Sequence, residues 1–236
     1  MAISTLSIDE IRTKLNQLIP TANQGIIKIG DSEVDAREFT DIEKTMLIDQ
    51  LTSLIPEGTP SSVQSTVLNN APLIQGVIRA VKAQTNSQFK GAFAQGKELT
   101  LKQLTIDDFN TVWGSTDATS FEYDVTAGNV YDYIGSSTQP EQTTEENAVI
   151  VLGFIERSPE VKINEYQINK NGRILPTQSL PVDIVTGYKF LPLAKPLVAL
   201  PETQYAIKVK ALRTGTVIFE PYGFKICMAT EVGNLF

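Results

Sequence analysis

Histidine is absent from the 236 residues of this chain, cysteine and tryptophan occur once each, and no apolar run is long. Without histidine there is no Ser-His-Asp or Cys-His catalysis, no histidine general base, and no histidine-ligated zinc or haem. One cysteine excludes intrachain disulfides and cysteine-rich metal sites. Cys227, inside the apolar stretch 224–228, reads as a small buried hydrophobe. The longest apolar run, 148–155, is far below the roughly 20 residues that span a bilayer. The first residues lack a basic region followed by an apolar stretch, so no secretory signal is expected and the chain reads as soluble and made in a cytoplasm. No glycine-rich phosphate loop is present, and no cofactor or metal is expected.

What is there is ordinary globular composition, 42% hydrophobic and 20% charged, with a net charge of −7. An acidic balance disfavours a surface built on phosphate contacts, so nucleic acid is not expected as a direct ligand. The charge is uneven. Residues 1–105 are nearly neutral, 106–160 hold 11 acids and one base, Arg157, and 161–236 are mildly basic. Such division suits head-to-tail contact between copies of a subunit, and equally a solvated acidic loop region.

The first 88 residues read as helical. Ser7-Ile8-Asp9-Glu10 and Thr40-Asp41-Ile42-Glu43 are capping boxes, each followed by apolar residues at helical spacing. Both runs end alike, at Leu18-Ile19-Pro20 and Leu54-Ile55-Pro56. A short strand, 25–30, lies between them. Thr59-Pro60 opens a third helical piece, and a fourth follows Asn70. Asp31, Glu33 and Asp35 alternate as in a calcium loop. Ala36 stands where the sharp turn needs glycine and Ile42 where the twelfth position needs glutamate, so an EF-hand is rejected. A solvated turn is the main reading there, a loose calcium site the alternative.

From about Phe89 the apolar period falls from 3.6 to 2. Thr105 to Asp108 is expected to cap a short helix reaching Trp113. Runs 121–125 and 130–134 flank Thr126-Ala127-Gly128-Asn129, a hairpin signal. Residues 135–147 read as an exposed loop, 149–155 as a central buried strand. Thereafter short strands are expected at 161–168, 173–175, 182–185, 188–191, 197–200, 205–212, 217–219 and 224–228, with Asn171-Gly172 as a tight turn. Strands with frequent turns and no intervening helices make an antiparallel sandwich or barrel rather than a parallel sheet. The expected fold is α+β: a small helical N-terminal part, 1–88, then a jelly-roll-like antiparallel β-sandwich, 89–236, carrying the acidic segment 106–160.

With no histidine, paired carboxylates are the acid–base device left, and Glu122, Asp124 and Asp132 lie beside Phe121, Tyr123, Tyr131 and Tyr133. A half-buried strand with a wet outer face is the main reading of the pattern, a catalytic pair the alternative. The aromatics, with Trp113, could also stack on sugar rings, although core packing is their default role. Lys208, Lys210 and Arg213 share one face of a strand and its turn, with Lys189 and Lys195 nearby in sequence. They suit either an edge strand guarded by lysines or a partner for the acidic segment. Glu122, Asp124, Asp132, Glu141, Glu145, Glu146, Lys208, Lys210 and Arg213 therefore make up the expected interaction surface.

The strand series 149–155, 205–212 and 217–228, the 64 Thr, Asn, Gln and Ser residues, and the helical N-terminal arm resemble β-sandwich capsid and capsid-decorating proteins of viruses and bacteriophages. The resemblance covers less than half the chain and has no diagnostic motif. It implies a non-enzymatic structural subunit in a virion, made in the host cytoplasm, whose partners are copies of itself or other capsid subunits. A carbohydrate-binding module, with a glycan as partner, and a carboxylate-based glycoside hydrolase are the alternatives.

Overall fold

Ser7 and Thr40 start the first two helices in the same way. Each main-chain N–H donates to the glutamate three residues ahead (2.8 Å in both), and each hydroxyl accepts that glutamate's N–H (3.3 Å). The computed structural model describes residues 5–30, 32–84, 99–144, 147–180, 183–185 and 188–228. They fall into two compact units, 1–103 with 144–150 and 224–236, and 104–143 with 151–223. The expected boundary at 88/89 lies outside the described residues. The fold is α+β with a β-sandwich.

The first unit holds three helices among its described residues: α1 Ile8–Leu18, α2 Asp41–Ser53 and α3 Ser61–Gln84. Ile11, Leu15, Ile19, Leu47, Leu51 and Ile55 are buried in it, including both isoleucines of the paired helix stops. The third and fourth helical pieces are one helix, with Pro72 inside. Proline removes one helix hydrogen bond. The buried stripe Val63, Val67, Ala71, Ile74, Val77 and Val81 runs on past it and holds the helix together.

Polar side chains of α3 also tie down preceding chain. Gln64 exchanges hydrogen bonds with the main chain of Leu6 (2.9 and 3.1 Å), and Gln75 donates to Pro20 O (2.5 Å). Arg79 donates to the carbonyls of Arg37 (2.8 Å) and Asn23 (2.5 Å). These bonds satisfy main-chain groups that lie outside the helices and strands.

Strands β1 Gly25–Ile29 and β2 Ser32–Ala36 form an antiparallel hairpin, Ile27 opposite Val34. The solvated turn expected at 31–35 is therefore mostly the second strand, with Glu33 and Asp35 exposed on it. Among the described residues no three His, Cys, Asp or Glu side chains are grouped to hold a metal. β3 Leu99–Gln103 pairs with the 224–228 end of β14 Gly215–Met228.

In the second unit one sheet has the order β10-β8-β13-β5, from β5 Val130–Ile134, β8 Ile163–Lys170, β10 Gln178–Ser179 and β13 Gln204–Ala211. The other has the order β11-β12-β7-β14, from β7 Ala148–Glu156, β11 Asp183–Val185 and β12 Tyr188–Ala199, the second unit holding 151–156 of β7 and 215–223 of β14. β7 is buried along its whole length, as the apolar run implies. Between the sheets Tyr133 of β5 lies against Phe154 (5.9 Å between centroids) and Phe219 (5.2 Å), and Phe154 stacks on Phe219 at 4.6 Å. Each such ring, fully buried, stabilises by roughly 1.5–3 kcal/mol.

Three expectations change here. The hairpin across 126–129 is not a ladder: β4 Glu122–Val125 pairs with β14, while β5 pairs with β13. The turn closes its own bond, Asn129 N to Thr126 O (3.1 Å), and is held from outside as well, Ala127 N donating to Thr214 Oγ1 (3.0 Å) and Gly128 N to Ala211 O (2.7 Å). The helix after Thr105 is one 3-10 turn, Ile106–Asp108. The runs at 188–191 and 197–200 join in β12, and those at 217–219 and 224–228 in β14. Pro221 breaks nothing because it falls between the β4 ladder, which ends at Ile218, and the β3 ladder, which starts at Phe224. The Asn171-Gly172 turn forms as expected, φ 49° and 76°, joining β8 to β9 Arg173–Ile174.

Candidate interaction face

Alternation along β13 buries Tyr205, Ile207 and Val209 and leaves Lys208 and Lys210 on the opposite face. Register then sets their neighbours. Lys208 lies between Asp132 of β5 and Gln167 of β8, and Lys210 between Val130 and Glu165. β13 is thus an interior strand of its sheet, not a lysine-guarded edge. Its lysines meet acids of the same unit, because antiparallel pairing puts opposite charges directly across. Lys208 Nζ is 3.3 Å from Asp132 Oδ1, an ion pair without hydrogen-bond alignment, so that oxygen accepts no hydrogen bond. Lys210 Nζ is 3.3 Å from Glu165 Oε1.

Arg213, in the turn after β13, donates to Glu160 at 2.6 Å. Arg157 grips Glu220 with two bonds of 2.9 Å. The basic end and the acidic segment therefore meet within one unit as well. Glu165, Glu160 and Glu220 escape a sequence reading because their lysine or arginine partners lie 45 to 63 residues away.

The remaining nominated acids separate. Glu122 and Asp124 are exposed on β4, and Asp124 accepts from Thr216 Oγ1 (2.6 Å). Asp132 belongs to the other sheet. Glu141 is buried, and its carboxylate accepts from Thr111 N (2.7 Å) and from Asn110 N and Nδ2 (3.0 and 3.1 Å). It lies on β6 Glu141–Gln142, which pairs with β13, so this part of 135–147 is anchored rather than an exposed loop. The reason is a carboxylate that replaces water with three N–H donors. Glu145 and Glu146 lie outside the described residues.

The aromatics form one cluster. Trp113 stacks on Tyr123 (5.0 Å, interplanar 10°), tilts against Tyr133 (4.6 Å), and donates Nε1–H to Phe121 O (3.1 Å). Its backbone is left-handed, φ 53°, with Gly114 at 75°, in a two-residue turn closed by Val112 and Ser115. That conformation costs about 1–2 kcal/mol, which the aromatic contacts, roughly 0.5–1.5 kcal/mol each, offset. Tyr131 Oη accepts from Thr126 N (2.7 Å), which lowers its phenol pKa. Burial, then Glu220, raises that of Tyr133. Burial, then Glu141 and Asp108, raises that of Tyr205.

One more acid is buried, and sequence reading passed over it. Glu156, at the end of β7, accepts from Lys162 N (2.7 Å) and Ile163 N (3.4 Å). Burial raises its pKa against these bonds and the charge of Lys189.

No helix among the described residues is long and apolar enough to cross a membrane. No family model matches the chain, and no curated protein matches it. Among solved structures it is similar to a chain in the structure of infectious bursal disease virus Gx strain, at 9% identity and a TM-score of 0.27. That match covers 59% of this chain and spans 43% of the other.

Proposed function

We propose that this chain is a non-enzymatic structural subunit of a multi-copy assembly, a capsid or capsid-associated protein of a virus or bacteriophage. One observation carries the reading: acids that could do chemistry are engaged in holding the chain. Asp124 accepts from Thr216, Glu141 from Asn110 and Thr111, and Glu156 from Lys162 and Ile163. Of the aromatics named for sugar stacking, Tyr133 is fully buried and Trp113 is buried with Tyr123 over one of its faces.

Light scattering coupled to size exclusion, run over salt and protein concentration, tests self-association. Species larger than a monomer support it; a strict monomer throughout counts against it. Mass spectrometry of purified particles from the source tests the virion. Stoichiometric presence of the chain supports the proposal, and absence overturns it.

A further inference from the structure

The outer face of the β10-β8-β13-β5 sheet carries a groove of about 280 Å³, lined by Val130, Glu165, Gln167, Thr177, Lys208 and Lys210 among others. Small-molecule pockets start at roughly 300 Å³, so there is room for about one sugar ring. A lysine ammonium has three donors. Lys210 uses its donors on Glu165 at 3.3 and 3.4 Å, and Lys208 has only its unaligned ion pair with Asp132. By contrast, Arg213–Glu160 is closed at 2.6 Å. Both lysines keep donor capacity at the groove.

Acceptors sit beside these donors. They are the Glu165 carboxylate and the Gln167–Thr177 pair, which are hydrogen-bonded to each other at 3.3 Å. Val130, 61% exposed, adds apolar surface. A fitting ligand offers an anionic group to the lysines, hydroxyl donors to Glu165 and a C–H face to Val130, all within one ring. An acidic peptide brings carboxylates without the hydroxyl donors that Glu165 can accept. A polyphosphate backbone needs a basic surface, and these two lysines are balanced by two acids. We propose that this groove binds a sugar residue bearing an acid group, a carboxylate or a sulfate.

The test titrates the full chain with 3′-sialyllactose, galactose 6-sulfate, lactose and tetraglutamate, followed by calorimetry and saturation-transfer NMR. An acid sugar should bind with a Kd on the order of 1 mM, and lactose and tetraglutamate at least about tenfold more weakly. The two acid sugars tell carboxylate from sulfate. Lys208→Met and Lys210→Met should each weaken binding about tenfold, with circular dichroism confirming the fold. No saturable binding of either acid sugar overturns the proposal, as does equal binding of tetraglutamate or unchanged binding by the folded double variant. If the variants fail to fold, the ligand panel on the natural chain decides. Light scattering reads the assembly proposal separately, so either can fail alone.

Discussion

The hydroxyl of Tyr133 donates to the main-chain carbonyl of Phe219, joining β5 of one sheet to β14 of the other inside the second unit. The ring is fully buried, so the hydroxyl has no water to turn to. Tyr133→Phe keeps the packing and removes the bond. It should cost about 1–3 kcal/mol, the penalty for an unsatisfied buried carbonyl. A urea titration that shows no change in midpoint would refute this.

Glycine at 153 makes room for a ring. A Cβ there would sit 2.8 Å from Leu191 O and 2.9 Å from the Phe190 ring. Gly153→Ala should destabilise by about 1–3 kcal/mol through overpacking. Gly114→Ala meets nothing within 4 Å but is held at φ 75°, so only backbone strain remains, about 1 kcal/mol. Denaturation midpoints of the two variants should rank in that order.

The surface ion pairs should differ by geometry. A double-mutant cycle on Lys208 and Asp132, both partly exposed, should give about 0.2–0.5 kcal/mol. The bidentate Arg157–Glu220 pair should reach about 1 kcal/mol. Both couplings should shrink in 1 M salt. Equal values for the two cycles would mean that bond alignment is irrelevant here.

Two glutamates should give opposite pH dependence. Burial opposes ionisation of Glu43, but Lys82 and the N–H and hydroxyl of Thr40 outweigh it, so its pKa falls below 4.5. Its stabilisation is therefore present above the unfolded value and lost as pH drops through the folded one. Glu156 is raised above 4.5, so its contribution is full below the unfolded value and lost as pH climbs through the folded one. Glu43→Gln should flatten the acid side of a stability–pH curve and Glu156→Gln the rise side. Urea midpoints at several pH values between about 3 and 7 check both signs.

The capping boxes at Ser7 and Thr40, the stops at Ile19 and Ile55, the Asn171-Gly172 turn and the buried run of β7 were all legible, because each is set by residues within a few positions. The lysine face of β13 was legible as well, from alternation alone. Partners were not. Tyr123 and Tyr131 look like two arms of a hairpin, yet their strands pair with residues 73 to 96 positions further on. Nothing local marks Glu141 as buried or Pro221 as harmless. The absence of histidine and the uneven charge are properties of sequence, and they narrow the chemistry whatever the fold. Tertiary structure decided where that charge goes. A carboxylate is stabilised by whichever cation or N–H the folded chain brings within about 3 Å, and that distance is set by strand register rather than by neighbours in sequence.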